Sequence, residues 1–401
     1  MQKRLLFLLA FLMTAISSAM AQVTTSSMSG TVVAEGEEII GATVDVVHTP
    51  SGTHYRAVTN EKGVYTINGM RVGGPYQVTV KCIGFSDKTV GGINLQLGET
   101  YNLKTNLSES VKEMQEVTVS AKGSKFSYEQ TGASTNISNE QMLAMPTVSR
   151  SVTDFTRLSP YGGNGMTFQG SDGRTANFTV DGANFNNNFG LSSSLPGGGN
   201  PISMEAIEEL QVVISPFDVR QTGFIGGALN AITKSGTNTF KGQAYIYHQN
   251  ENMRGDAVES EFISGSRDKD RTTTYGFTLG GPIIKNKLFF FVNGELVKSP
   301  GTGTPWRASE DGVGDAEAYK SYTTVADMQR VQEHVAQKYG YNTGSYTKFP
   351  SDADTKKLLA KITWNINDKN RLDVRYNYTT NSSWTMPNAS SMDGGTRSAF
   401  S

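Results

Sequence analysis

The sequence predicts a mainly β chain with a signal peptide, a small β-sandwich, an α+β domain, and the first strands of an incomplete transmembrane antiparallel β-barrel. Three observations support this prediction. The N-terminus has the composition of an export signal. Short alternating strands separated by turn clusters follow it, as in a sandwich. Later segments of about ten alternating residues are typical of outer-membrane strands. The predicted boundaries are 1–21 for the signal peptide, 22–107 for the sandwich, 108–132 for a linker, 133–236 for the α+β domain and 237–401 for the barrel strands.

The export signal begins with positively charged residues, which precede the apolar run from Leu5 to Met13. Small residues then place the predicted cleavage between Ala21 and Gln22. A membrane anchor is the lesser interpretation, because a helix needs about 20 residues to span a bilayer.

Composition narrows the functional classes. The formal net charge is −1, which gives no electrostatic argument for nucleic acid as a partner. Cys82 is the only cysteine, so an exported chain of this kind has no intramolecular disulfide framework. No later apolar run is long enough for a transmembrane helix, so a membrane location would require a barrel.

The predicted sandwich contains alternating strands such as Thr43–Val47 and Tyr76–Val80. Asn60–Gly63 and Val72–Pro75 are the predicted turns between strands. Cys82 follows a strand pattern and fits a small buried hydrophobic residue better than a reactive thiol.

Four segments of this region resemble the carboxypeptidase regulatory-like domain: Gly30–Val32, Gly41–Val44, Thr59–Tyr65 and Val78–Phe85. The resemblance covers most of the region. It implies a β-sandwich and no catalysis of its own.

The polar linker contains a short β-prone segment, formed by Glu116, Val117, Thr118, Val119, Ser120 and Ala121. An extended segment between two domains can add itself as a strand to the sheet edge of a partner. The alternative is a plain strand of the linker or of the neighbouring domain.

The α+β domain opens with a capping box at Ser138–Gln141, which predicts a short helix that Pro146 ends. A second short helix is predicted around Asp154–Leu158. Phe178–Gly182 predicts a strand that runs into an Asp-Gly turn.

Three motifs then follow in a fixed order, comprising Asp181 and Gly182, then Ile207 and Glu208, and then Gly226, Gly227, Asn230, Thr233 and Lys234. In this order they resemble the plug domain of TonB-dependent transporters. The resemblance implies that residues 116–121 are the TonB box. It also implies capture of that box by the inner-membrane TonB-ExbB-ExbD complex.

Ser215–Arg220 stands where an Arg-Gly-Pro segment is usual in these transporters. This variant, together with Asp181–Asn186, resembles the Oar-like branch. Members of that branch are less tied to iron carriers, so the resemblance leaves the substrate open.

A loop rich in Asn, Ser and Gly follows the Asp-Gly turn, and its candidate substrate-facing residues are Asn184, Asn186, Asn187 and Asn188. The alternative, which the composition slightly favours, is a solvated loop without ligand contacts.

About five barrel strands are predicted, near residues 239–249, 271–281, 287–297, 355–366 and 371–380. Apolar residues occupy one face of each strand and polar residues the other, so polar side chains such as Lys361, Asp373 and Arg375 are expected to line the lumen. Short and long connections alternate, and the longest contains a predicted surface helix at Val325–Tyr339. Because plugged transporters have 22 strands, five cannot close a barrel, and we expect the sequence to be a fragment.

The sequence predicts no catalytic residue, metal site or cofactor, because its four histidines lack metal-ligand spacing and no nucleophile motif is present. The predicted function is energised transport of an unidentified substrate across the outer membrane of a Gram-negative cell, with the N-terminal domain in the periplasm. Expected partners are the TonB-ExbB-ExbD complex, outer-membrane lipid, the substrate and, as an optional partner, a surface lipoprotein. The alternative is an adhesin or structural outer-membrane protein, which would need neither a plug nor a TonB box.

Overall fold

The computed structural model describes residues 23–109, 118–120, 132–147, 149–186, 195–196, 199–216, 220–253, 255, 257–258, 261–262, 271–300, 307–315, 320–344 and 352–382. Contacts divide the chain into two units. The first comprises Met1–Ala244, Phe277–Gly294 and Lys357–Thr379, and the second comprises Tyr245–Gly276, Glu295–Lys356 and Thr380–Ser401.

The N-terminal part of the first unit is a sandwich of two sheets. One sheet contains β1 (Ser26–Ala34), β2 (Glu37–Glu38), β5 (Val64–Met70), β8 (Thr100–Asn102) and β9 (Thr105–Leu107). The other has the order β10-β7-β6-β3-β4 and contains β3 (Thr43–His48), β4 (Thr53–Val58), β6 (Gly73–Lys81), β7 (Lys88–Leu95) and β10 (Thr118–Ser120).

The core of the sandwich is formed by strands in which buried residues alternate with more exposed ones. In β1, every second residue is buried, and in β3 and β6 the inward valines are fully buried. The predicted turn at Asn60–Gly63 is confirmed, because the Asn60 Oδ1 atom accepts hydrogen bonds from the backbone N–H groups of Lys62 and Val64, each at 3.0 Å. Cys82 packs against this core but is only half-buried.

One predicted turn of the sandwich is wrong. Val72–Pro75 is not a loop, because strand β6 already begins at Gly73, where it pairs with Leu95 of β7. The register of β6 against β7 shifts between Gly73 and Tyr76, so this stretch is an irregular end of strand β6. Its Gly and Pro residues had indicated a turn instead.

The α+β region has a five-stranded sheet in the order β11-β14-β15-β12-β13. Its strands are β11 (Gly132–Ser138), β12 (Asn177–Val180), β13 (Ala183–Asn184), β14 (Ile207–Pro216) and β15 (Ala228–Thr233). Its helix is α1 (Asn139–Ala144), and its 3-10 turns are Val152–Leu158, Gly173–Thr175 and Met204–Ala206.

Helix α1 begins as the sequence predicted. The Ser138 side chain accepts from the Gln141 backbone N–H, and the Gln141 side chain accepts from the Ser138 backbone N–H. The second predicted helix is a 3-10 segment with the same reciprocal cap, formed by Ser151 and Asp154. The rings of three phenylalanines are fully buried in the core of this region: Phe155, Phe168 and Phe178.

The five predicted membrane strands form one five-stranded sheet, in the order β16-β19-β20-β23-β24. They are β16 (Lys241–Gln249), β19 (Thr272–Ile284), β20 (Leu288–Pro300), β23 (Asp352–Asn367) and β24 (Asn370–Ser382). The predicted faces are confirmed, because the apolar Phe277, Ile362 and Val374 are 46–56% exposed whereas Lys361 and Thr363 are buried.

Among the described residues, the long connections contain short paired strands, one α-helix and a 3-10 turn at Glu251–Met253. The strands are β17 (Ala257–Val258), β18 (Glu261–Phe262), β21 (Arg307–Ser309) and β22 (Lys320–Thr324). Helix α2 spans Val325–Tyr339, as predicted, and ends at Gly340 in the left-handed conformation. Within the described residues, no helix is both long and apolar enough to cross a membrane.

The sandwich contacts the α+β region through the loop after β7. Its Leu97 backbone N–H donates to the Glu209 carboxylate at 2.8 Å, and its carbonyl accepts from the Gln211 side chain at 2.6 Å and from Asn136 at 3.3 Å. Leu97 itself is fully buried against Ile232. This joint therefore combines an apolar contact with saturated main-chain hydrogen bonds.

Glu209 is an unusual carboxyl in this joint. Burial above all, with the nearby Glu99 and Glu208, raises its pKa to about 8 against the lowering effect of the Leu97 N–H. The folded protein therefore binds this proton more tightly than the unfolded chain. The stability that the proton contributes is full below pH 4.5 and is lost as the pH rises towards about 8.

We expect Glu209→Gln to remove this pH dependence, because the amide keeps an acceptor for the Leu97 N–H without ionising. The stability of the variant relative to the wild type should increase by up to a few kcal/mol between pH 5 and pH 8. Thermal unfolding of the full-length protein in detergent measures the difference. Glu140→Gln, at an exposed carboxyl, is the matched control, and a wild-type-like pH profile in Glu209→Gln would contradict the expectation.

Candidate functional site

The candidate site is built around the hairpin that joins β12 to β13. Asp181 and Gly182 have φ values of 44° and 79°, so both central residues of the turn are left-handed. A two-residue hairpin of this kind requires that conformation, and Asp-Gly supplies it at low cost. The predicted Asp-Gly turn is confirmed.

The turn presents the Asp181 carboxylate to strand β15. Its Oδ1 atom accepts from the Thr233 backbone N–H at 2.8 Å, and its Oδ2 atom accepts from the Thr233 hydroxyl at 2.5 Å. These two bonds fix the side chain, so that its remaining acceptor capacity points away from the sheet of the α+β region.

Two cations from the membrane-type strands reach this carboxylate. Lys361 of β23 places Nζ 3.5 Å from Asp181 Oδ2, and Arg375 of β24 places Nη1 at 3.0 Å. The three side chains are 8–17% exposed. Lys361 also donates to the Thr233 hydroxyl at 3.1 Å, and Arg375 to the Val180 carbonyl at 2.5 Å. The carboxylate thus joins the α+β region to two strands of the other sheet.

Apolar packing accompanies these ion pairs. Phe291 of β20 and Leu359 of β23 are nearly fully buried within the hydrophobic core of the α+β region. The Arg375 guanidinium lies 5.7 Å from the centre of the Phe185 ring, within the range of a cation–π contact.

The paired glycines of the third motif have different physical roles. Gly226 has a φ of 93°, which a residue with a side chain rarely adopts. At Gly227, an added Cβ atom would lie 2.5 Å from the ring of the fully buried Phe168. The first glycine therefore allows a positive φ, and the second leaves room for the Phe168 ring.

The remaining motif residues lie on the same sheet. Ile207 is fully buried, and Asn230 Oδ1 accepts from the buried Thr179 hydroxyl at 2.8 Å. Glu208 and Lys234 line a cavity next to the Asp181 cluster. The fold thus brings the motif residues together. Some pack in the core, some form hydrogen bonds within the sheet, and some line the cavity.

The predicted substrate-facing asparagines are only partly described. Asn186 Oδ1 accepts from the Phe178 N–H at 2.5 Å, and its Nδ2 donates to Asn177 at 2.8 Å. Asn184 Oδ1 accepts from the Asn186 N–H at 2.7 Å. These amides therefore close the hairpin on itself, while Asn187 and Asn188 lie outside the described residues.

Of the β-prone linker segment, Thr118–Ser120 is described. It forms β10, which pairs in parallel with Thr89–Gly91 of β7 at the edge of the sandwich. Glu116, Val117 and Ala121 lie outside the described residues, as do Ala21 and Gln22 of the predicted cleavage site.

A cavity of about 870 Å³ lies within the first unit, between the sandwich, the α+β region and the membrane-type strands. Its acidic lining residues are Glu140, Asp181, Glu208 and Asp373, and its cationic lining residues are Arg71, Lys234, Lys241, Lys361, Arg371 and Arg375. Sequence reasoning found the lumen-facing residues of β23 and β24 from their alternation. It missed Arg71 and the pairing with Asp181, for which a local pattern holds no signal.

In the part of the chain that the structure describes, no group of three or more His, Cys, Asp or Glu side chains could hold a metal ion.

We expect Asp181→Ala to destabilise the full-length protein by about 3–5 kcal/mol, because it leaves two largely buried cations without their carboxylate. Asp181→Asn, which keeps an acceptor for Thr233, should fall between this variant and the wild type. The free energy of unfolding in urea is the measurement. Asp87→Ala, which breaks the exposed pair with Lys81, is the control and should cost far less, because solvent screens that pair; an equal cost at both sites would rule out a special role for Asp181.

Two family models match the chain. Residues 232–400 match the outer membrane beta barrel domain, and residues 27–108 match the carboxypeptidase regulatory-like domain. Among curated proteins, the TonB-dependent transporter Oar of Myxococcus xanthus is 26% identical over 240 residues, which are 57% of this chain and 21% of Oar.

Solved structures similar to the chain include two receptors. The siderophore receptor PirA of Acinetobacter baumannii has a TM-score of 0.40 at 19% identity, over 62% of this chain and 32% of PirA. A ferric enterobactin receptor mutant of Pseudomonas aeruginosa, in complex with enterobactin, has a TM-score of 0.40 at 15% identity, over 63% of this chain and 34% of the receptor.

The chain therefore spans about a fifth of the length of Oar and about a third of each receptor. The two family matches and the similarity to Oar are nevertheless consistent with one another. Together they support a TonB-dependent receptor of the Gram-negative outer membrane that carries an N-terminal carboxypeptidase regulatory-like domain.

Proposed function

We propose that this chain is part of a transporter that imports an unidentified substrate across the outer membrane with energy delivered by TonB. In this proposal, residues 133–236 are the plug, and the strands from residue 237 onwards form part of the barrel around it. The relative Oar is a TonB-dependent transporter, which agrees with the proposal. We propose no catalytic activity and no resident cofactor.

The observation that carries the proposal is the Asp181 cluster. A plug must stay in place at rest and yet move when it is pulled. Ion pairs and hydrogen bonds from Lys361 and Arg375 suit this task, because water can replace each of them as the contact opens. The polar cavity beside the cluster supplies space into which side chains can turn.

Residues 116–121 are the proposed TonB box. Strand addition uses main-chain N–H and C=O groups, and Thr118–Ser120 already has the extended backbone that such pairing needs. Because β10 pairs with β7 along one of its edges, its other edge, or the whole segment after release, can accept a strand of TonB.

The proposed cycle has three steps. Substrate binds on the outer face and shifts the plug towards a state in which the box is accessible. The TonB-ExbB-ExbD complex captures the box and pulls, using the proton-motive force. The Asp181 contact then opens, and the substrate passes between the plug and the wall of the barrel.

We expect the double replacement Thr118→Pro with Val119→Pro to weaken capture of the purified periplasmic domain of TonB by about tenfold or more. Neighbouring N–H groups of a strand point to opposite sides, so replacing both removes a donor whichever edge TonB uses. Capture is measured on outer membranes that carry the full-length protein.

The matched control exchanges the same two side chains, as Thr118→Val with Val119→Thr, and keeps both N–H groups. It should capture TonB as the wild type does. Unchanged capture by the proline variant would remove the TonB-box assignment, and no capture by the wild type would favour an adhesin or structural protein.

A further inference from the structure

Arg71 lies at the junction between β5 and β6 of the sandwich, and its backbone is tightly fixed. Its N–H donates to the Tyr55 hydroxyl at 3.3 Å, and its carbonyl accepts from the Tyr76 hydroxyl at 2.7 Å. Tyr76 is itself fully buried in the sandwich core. The side chain of Arg71 is therefore presented from a rigid base.

This side chain lines the 870 Å³ cavity, and it forms no ion pair with any residue that the structure describes. Its Nη1 atom is buried and has no hydrogen-bond partner among the described residues. A buried guanidinium donor without an acceptor costs free energy, because the group has lost its hydrogen bonds to water without replacing them. A ligand that supplied the acceptor would recover that cost.

The neighbouring carboxylate is already engaged. Asp373 accepts from the Thr363 hydroxyl at 2.6 Å and from Arg371 Nε at 2.9 Å. Within the described part of the chain, Arg371 forms no further hydrogen bond, so the rest of its guanidinium also faces the cavity without an acceptor.

The local potential is positive. Burial and the charge of Arg371 lower the pKa of Arg71, against the opposing effects of Asp373, Tyr55 and Tyr76. Burial, followed by the charges of Arg71 and Arg371, lowers the pKa of His48 to about 3. His48 is therefore neutral at physiological pH, and its ring does not balance the positive charge of the two arginines.

We propose that Arg71 and Arg371 form a binding site for a phosphate-type oxyanion. Two planar guanidinium groups match the geometry of a tetrahedral oxyanion through paired hydrogen bonds. The cavity is large enough for inorganic phosphate and also for the phosphate of a lipid headgroup.

Such an anion would connect the sandwich, which carries Arg71, to strand β24, which carries Arg371. It would add a third point of attachment to the hydrogen bond between Asn365 and Thr53 at 2.9 Å and the ion pair between Arg56 and Asp368 at 3.2 Å. The site does not depend on transport, so it stands or falls separately from the proposed function.

The test uses the full-length protein in detergent, with inorganic phosphate as the probe and chloride at equal ionic strength as the reference. Phosphate should raise the unfolding temperature of the wild type in a concentration-dependent manner. Arg71→Gln should weaken phosphate binding by about tenfold or more in calorimetry, since one charge-assisted pair is lost.

In phosphate-free buffer, Arg71→Gln should unfold at or above the wild-type temperature, because it removes an unpaired buried charge. This result also shows that the variant is folded. Arg371→Gln tests the second cation, and Arg174→Gln, at an exposed arginine paired with Asp172, is the matched control that should bind phosphate normally.

Native mass spectrometry of the protein taken directly from membranes distinguishes inorganic phosphate from a phospholipid as the bound ligand. A bound phosphate or a bound phospholipid, lost in Arg71→Gln, would each support the site. An equal response of the wild type and Arg71→Gln to phosphate, or no response beyond that to chloride, would overturn it.

Discussion

The largely buried carboxylate of Asp181 is the constraint around which the first unit is organised. It is held by Thr233 within its own sheet and by Lys361 and Arg375 from the membrane-type strands. Without this carboxylate, Lys361 and Arg375 would be largely buried charges without a counter-ion, which is strongly unfavourable. The Asp-Gly turn, the register of β12 against β15 and the polar faces of β23 and β24 all serve this contact.

The sandwich is also attached to the rest of the first unit through polar contacts. Its Leu97 loop docks on the α+β region through Glu209 and Gln211. Pro50, in the loop after β3, accepts from the Asn238 backbone N–H, and Thr53, at the start of β4, accepts from Asn365 of β23. Main-chain groups and amides make most of these contacts. The cationic cavity lies where these contacts meet.

Much of the local structure could be predicted from the sequence. The capping box at Ser138, the Asp-Gly turn and the five membrane-type strands are all encoded by neighbouring residues, whose spacing reflects the period of a helix or strand. The turn predicted at Val72–Pro75 was wrong because Gly and Pro also occur at irregular strand ends.

The contacts that define the site could not be predicted in this way. Asp181 and Lys361 are 180 positions apart, and Leu97 and Glu209 are 112 apart. Their pairing depends on how whole sheets pack, which the pattern within one element does not record. The pairing of β10 with β7 and the unpaired guanidinium of Arg71 are tertiary features of the same kind.

A double-mutant cycle of Asp181→Asn and Arg375→Gln in the full-length protein measures how strongly the Asp181 carboxylate holds the α+β region against the barrel strands. We expect a coupling free energy on the order of 1–3 kcal/mol in urea unfolding, because the second replacement costs little once its partner is gone. Additive effects of the two replacements, within about 0.5 kcal/mol, would contradict it.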